Sequence, residues 1–149
     1  MTLDARSPSP APRTPAAAPP SGDAPARAET LALIETFRAA YERKDLTAVM
    51  ALFGTEARDR DVEGRRAVEQ LYVKNFAALD GIRYDLAQLG ARPPADNGDL
   101  VVEGRFRIQA TLVTDQPRPM DMAGPIRWLL RREDGALRIV GIEYEAAAR

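Results

Sequence analysis

The chain of 149 residues contains neither cysteine nor histidine. Without cysteine there is no disulfide framework and no thiolate metal site. Without histidine, the usual general base near neutral pH and the commonest metal ligand are both missing. Acid–base chemistry therefore falls to Asp, Glu, Tyr, Lys or Arg, and no cofactor or metal is expected. Net charge is nearly absent too. The chain carries 21 basic and 22 acidic residues, a net −1, without the basic excess of a nucleic-acid binder. No apolar run approaches the roughly 20 residues of a membrane helix. The first residues, MTLDARSPSPAPRTPAAAPP, lack the apolar centre of a secretory signal. The expected location is the cytoplasm, with no membrane and no nucleic-acid partner.

What is present fits one domain and a tail. Hydrophobic residues make up 45% and charged residues 29%, enough for a core and a polar surface. Residues 1–28 hold Pro8, Pro10, Pro12, Pro15, Pro19, Pro20 and Pro25 and no aromatic residue. Such a stretch cannot bury enough apolar surface to offset its ordering entropy. A disordered, partly polyproline-like tail is expected there. Ala and Ser dilute any docking motif, which favours a solubilising role.

Order is expected from about Glu29, in a domain spanning 29–149. Leu33, Ile34, Phe37 and Tyr41 share one helical face. Asp45 suits an N-cap, and 46–53 reads as a short second helix stopped by Gly54. Residues 55–61 suggest a short edge strand. A third helix over about 64–79 buries Val68, Leu71, Tyr72, Phe76 and Leu79, and Asp80 and Gly81 end it. From Ile82 the period becomes two. Asp96, Asn97 and Gly98 form a turn. Leu100, Val102, Phe106, Ile108 and Leu112 then share a face, opposite Glu103, Arg105, Arg107 and Gln109. Met122, Ile126, Trp128 and Leu130 continue the apolar face after a loop at 116–119. A last strand covers 137–145, with a bulge expected at Gly141. Helices first and strands later predict an α+β fold.

The order and spacing of several segments resemble the nuclear transport factor 2-like superfamily, especially its SnoaL-like branch. They are Tyr41-Glu42-Arg43-Lys44-Asp45-Leu46, Met50-Ala51-Leu52-Phe53, Gly64-Arg65-Arg66-Ala67-Val68, and Trp128 through Gly135. The resemblance implies a cone: three helices packed in a strongly curved antiparallel sheet, around a pocket. It also implies a homodimer formed through the sheet. The superfamily includes isomerases, cyclases, dehydratases and hydrolases as well as non-catalytic binding domains, so fold does not decide function.

The isomerase branch uses an Asp base with a Tyr and a protonated Asp as oxyanion donors. Counting from Asp45 places the base at Asp61 and the donor Tyr at Phe37. Tyr41 lies one turn later on the same face. The second acid falls at Ile126, or at Arg127 in the other register. Both donors are therefore replaced, which argues against a steroid-isomerase mechanism. Asp61 admits two readings. It is a pocket base, sharing a strand face with Asp59 at roughly 6.5–7 Å, or it caps the third helix. Expected pocket-lining residues are Phe37, Tyr72, Tyr84, Phe106, Trp128 and Tyr144. The preferred expectation is a non-catalytic domain that binds a small apolar ligand or a protein partner and dimerises through its sheet. The alternative is a cofactor-independent isomerase, cyclase, lyase or hydrolase of a small hydrophobic substrate, with Asp61 and Tyr41 catalytic.

Overall fold

The computed structural model describes residues 19–148, and the side chains of 27–147. Most of the expected proline-rich tail, residues 1–18, lies outside the described residues. The first helix, α1 (Pro19–Glu42), begins at Pro19 rather than Glu29. Pro19 and Pro20 stand in its first turn, where a missing N–H leaves no bond unmade. Burial starts at Thr30, and Ile34, Phe37, Ala40 and Tyr41 continue it at helical spacing. That stripe is where the apolar pattern becomes legible.

Lys44 adopts left-handed backbone (φ 57°) and turns the chain out of α1. Asp45 then caps α2 (Leu46–Ala51), its side chain accepting from the Ala48 amide. The Arg65 guanidinium donates to the carbonyls of Met50 and Phe53 at 2.7 and 2.8 Å, tying α3 to the C-terminal end of α2. α3 (Arg65–Ala78) buries Val68, Tyr72 and Phe76. It passes directly into strand at Leu79, so Asp80 and Gly81 lie in that strand rather than in a helix stop. The Lys44 ammonium binds the Phe76 and Leu79 carbonyls and Asp80 there.

The residues expected as an edge strand over 55–61 form a tight hairpin instead. β1 (Arg58–Asp59) pairs with β2 (Val62–Glu63) across a turn at Arg60 and Asp61. β3 (Leu79–Arg92), β4 (Leu100–Leu112), β5 (Arg118–Glu133) and β6 (Ala136–Tyr144) form the long antiparallel meander. The sheet order is β2-β1-β6-β5-β4-β3, with β1 parallel to β6. A short β7 (Ala147–Ala148) pairs with β5 at Met122 and Ala123.

Irregularities in the ladder bend the sheet around the helices. In β6 the partner of Leu129 is Gly141 but that of Leu130 is Ile139, so Val140 is the extra residue. The bulge falls beside the expected Gly141. It shifts the alternation, so Ile139 and Ile142 both point into the core. β3 breaks register twice, once around Gln88 in left-handed backbone (φ 58°). Trp128 is 0% exposed and packs edge-on to Phe37, ring centroids 5.1 Å apart. Phe37 also touches the rings of Tyr41, Phe53, Tyr72 and Tyr84.

On the outer face three of the strand arginines are paired within the chain. Arg107 meets Asp121 at 2.6 Å, Arg127 meets Glu103 at 2.8 Å, and Arg131 meets Asp99 at 2.7 Å. Among the described residues no helix is long and apolar enough to cross a membrane.

Gly124 faces the returning C-terminal segment so closely that a Cβ would overlap the Glu145 carbonyl oxygen. Gly124→Ala should therefore destabilise the domain by about 1–3 kcal/mol, the range for overpacking, measured by urea unfolding. In a chain ended after Tyr144 the same substitution should be close to neutral. An equal loss in both backgrounds would place the clash elsewhere.

Candidate functional site

The inner face of the curved sheet, α1, α3 and β1 enclose a cavity of about 260 Å³. Its position follows from phase. Phe37 and Tyr41 sit on the buried stripe of α1, and Tyr72 and Asn75 one turn apart on α3. Tyr84, Phe106, Ile126 and Tyr144 come from the inner faces of β3 to β6. The chain has four tyrosines, and Tyr41, Tyr72, Tyr84 and Tyr144 all line this cavity.

One carboxylate lies among them. Asp59 is 4% exposed. β1 lays its backbone against Ile142 of β6, which turns Ala57 and Asp59 inward while Arg58 and Arg60 point away. Asp59 Oδ2 accepts a short hydrogen bond from the Tyr72 hydroxyl. Oδ1 is buried and has no hydrogen-bond partner among the described residues. A buried acceptor left unpaired costs about 1–3 kcal/mol, more when charged. Burial accordingly pushes the Asp59 carboxyl above the usual carboxylate range, opposed by the Tyr72 hydrogen bond and the charges of Arg60 and Arg58.

The tyrosines are shifted the same way. Burial raises Tyr72, Tyr84, Tyr41 and Tyr144, and the Asp59 charge adds to it in every case. They therefore stay neutral, as hydroxyl donors, across the physiological range. Tyr41 has the Asn75 side chain as a hydrogen-bond partner. The Arg60 guanidinium lies over the Tyr144 ring, 4.9 Å from its centroid. Arg58 is held by Glu143 at 2.8 Å.

Of the residues singled out from sequence, Tyr41, Phe37, Tyr72, Tyr84, Phe106 and Tyr144 line the cavity. Trp128 does not. It lies behind Phe37, fully buried, with its indole N–H unpartnered. Asp61 is not in the cavity either. It is exposed in the turn between β1 and β2. Nor does it cap α3, whose N-cap is Gly64 with no side-chain bond. The strand expected to carry Asp59 and Asp61 on one face ends at Asp59. Arg60 then enters left-handed backbone (φ 55°), and the alternation stops. Asp59 is thus the acid that the structure brings to the tyrosines. Its signal in the sequence was its phase with Ala57. Among the described residues no group of three or more acidic side chains is placed to hold a metal ion.

Neither a family model nor a curated protein matches the chain. Solved structures do resemble it. Aln2 from a Streptomyces species superposes with a TM-score of 0.65 at 17% identity, covering 80% of this chain and 88% of that one. An NTF2-like protein with a cystatin-like fold from Novosphingobium aromaticivorans gives 0.62 at 19% identity, covering 85% and 84%. A candidate dehydratase of the NTF2-like family from Streptomyces avermitilis gives 0.61 at 14% identity, covering 78% and 92%. The chain has the nuclear transport factor 2-like, or cystatin-like, fold.

The raised Asp59 pKa has a stability consequence. An unfolded Asp titrates near about 3.9, and the folded group titrates higher. The folded state thus keeps a proton that the unfolded chain has already lost. The contribution favours folding below the unfolded pKa and is lost as pH rises through the folded one. Asp59→Asn, neutral throughout, should raise Tm at pH 7 by a few degrees, the shift given by about 1 kcal/mol in a domain of this size. The gain should vanish near pH 3.5, measured by calorimetry. A lower Tm at pH 7 would contradict the assignment of Asp59 as a buried, under-satisfied acid.

Proposed function

We propose that the cavity is the active site of a cofactor-independent acid–base enzyme acting on a small, largely apolar substrate. Asp59 is the proton acceptor. The hydroxyls of Tyr41 and Tyr84 supply the donors for charge that develops on substrate oxygen. The observation that carries this reading is Asp59 Oδ1, buried at the cavity with no partner among the described residues. A site that only bound apolar surface would be more stable with a hydrophobic residue there. Under-satisfied carboxylates persist where they have work to do.

The chemistry follows from the two oxygens. Tyr72 occupies Oδ2 and orients the carboxylate, which leaves Oδ1 to take a proton from a substrate carbon next to a carbonyl. Desolvation raises the basicity of Asp59 toward the working pH. The neutral phenols then stabilise the resulting enolate, as an oxyanion hole does. The donors differ in position from those of the isomerase pattern, because Phe37 and Ile126 occupy the places expected for them. Isomerisation, cyclisation and elimination all begin with this step. The base role assigned from sequence to Asp61 passes to Asp59 in this reading, and Tyr41 keeps its part.

The test is proton exchange. In deuterated buffer, cyclic enones and ketones should lose α-protons faster with the protein than without it, followed by proton NMR. Asp59→Asn should slow this by about 10²–10⁴-fold, the usual contribution of a general base. Because the base must be ionised, the rate should rise with pH and level off above the Asp59 pKa. Binding of these ketones with no exchange would favour the non-catalytic ligand-binding reading, in which Oδ1 only accepts a hydrogen bond.

The same reading retains a homodimer through the outer sheet face, where Val101 and Leu129 lie among the ion-paired arginines. Sedimentation equilibrium should then give a mass near twice the 16.3 kDa of the chain. A monomer at every concentration would remove the dimer from the proposal.

A further inference from the structure

The cavity has its one carboxylate at one end and becomes more apolar toward the other. Strand register orders its wall. Along β5 the inward residues run Met120, Met122, Gly124, Ile126 and Trp128, facing Ala110, Ile108, Phe106, Gly104 and Val102 of β4. Tyr144 pairs with Ile126, and Ile142, which carries Asp59, pairs with Trp128. Asp59 and Tyr144 thus belong to one end. Leu112, paired with Leu79, belongs to the other. α3 runs the same way, from Tyr72 through Asn75 to Ala78 and Leu79. Six residues separate Met120 from Ile126, about 20 Å along an extended strand.

Burial follows the same axis. Asp59, Tyr72, Ile126 and Ile142 are buried, whereas Leu112, Met120 and Met122 are half-buried, beside the exposed loop at 113–117. The Asp59 end is closed, with Arg60 laid over the outer ring, Tyr144. The opposite end is the rim. It is apolar and carries two methionines, whose unbranched side chains adapt to different shapes. At the closed end the unmet requirement is a donor for Asp59 Oδ1. Toward the rim the wall is mostly apolar, and its polar members are the Tyr84 hydroxyl, in the row of Ile108 and Met122, and Asn75.

We infer that the ligand is a single-headed amphiphile: one hydroxyl head donating to Asp59, and a slender apolar body running toward Leu112, Met120 and Met122. This rests on the cavity being a ligand site and names the class of molecule it takes. The head enters first. Rim residues, and Met120 above all, set the length of apolar body that is accepted, while Asp59 sets the chemistry of the head.

A phenol carries a single hydroxyl donor, so 4-alkylphenols from methyl to octyl are suitable probes, with 4-alkylanisoles as matched molecules that lack the donor. Calorimetric titration of the full chain should show phenol affinity rising about fourfold per methylene until the tail reaches the rim, then flattening. Each anisole should bind at least tenfold more weakly than its phenol. Met120→Trp should flatten the series at a shorter tail and leave 4-methylphenol unchanged. Leu112→Ala should move the break to longer tails, so a failure of one variant to fold does not remove the test. Equal affinities for phenols and anisoles, or a tail-length profile indifferent to both rim substitutions, would overturn the inference. Phenol binding as described without ketone proton exchange would remove only the enzymatic reading. Exchange with a flat tail-length profile would remove only the amphiphile.

Discussion

Taking a carboxylate out of water costs several kcal/mol even after the surroundings relax, and the interior around Asp59 is arranged to tolerate that cost. One oxygen is satisfied by Tyr72. The charges of Arg58 and Arg60 act on the group from outside the cavity and favour its ionised form. The other oxygen has no partner among the described residues. Burial outweighs these influences and holds the Asp59 carboxyl above the usual carboxylate range.

Three features of the scaffold make this placement possible. The Val140 bulge lets Ile139 and Ile142 both face inward, and Ile142 is where β1 docks. Two residues of β1 are enough to carry Asp59 into the interior before the chain turns back at Arg60. Phe37 then contacts five rings from α1, β3, β5, α3 and the segment after α2. It occupies, as an apolar filler, the place where a hydroxyl was sought from sequence. Hydroxyls instead reach the cavity on four tyrosines from α1, α3, β3 and β6. Such convergence is a property of the tertiary structure, since these residues are distant in the chain.

This explains what could and could not be read in advance. The helix stripes, the Asp45 cap and the alternation of β4 and β5 are local patterns, and the structure has them where the residues indicate. So do the cavity aromatics, apart from Trp128, which is in phase with the inner face but lies one layer deeper, behind Phe37. Asp59 and Asp61 were not separable by such means. They have the same parity, and a family count favoured the second. What distinguishes them is a two-residue turn. Its signal is weak because Arg60 is not a usual left-handed residue. The polarity gradient of the cavity was equally hidden, because it depends on the pairing of β6 with both β1 and β5.

The account depends on Asp59 being a buried acid with a raised pKa. Carbon-13 NMR of carboxyl-labelled protein, with the resonance assigned by its loss in Asp59→Asn, reports that ionisation directly. The midpoint should lie clearly above the value of about 3.9 for an unperturbed Asp. A midpoint at or below that value would mean a solvated or strongly ion-paired carboxylate, and would contradict both the site and the chemistry drawn from it.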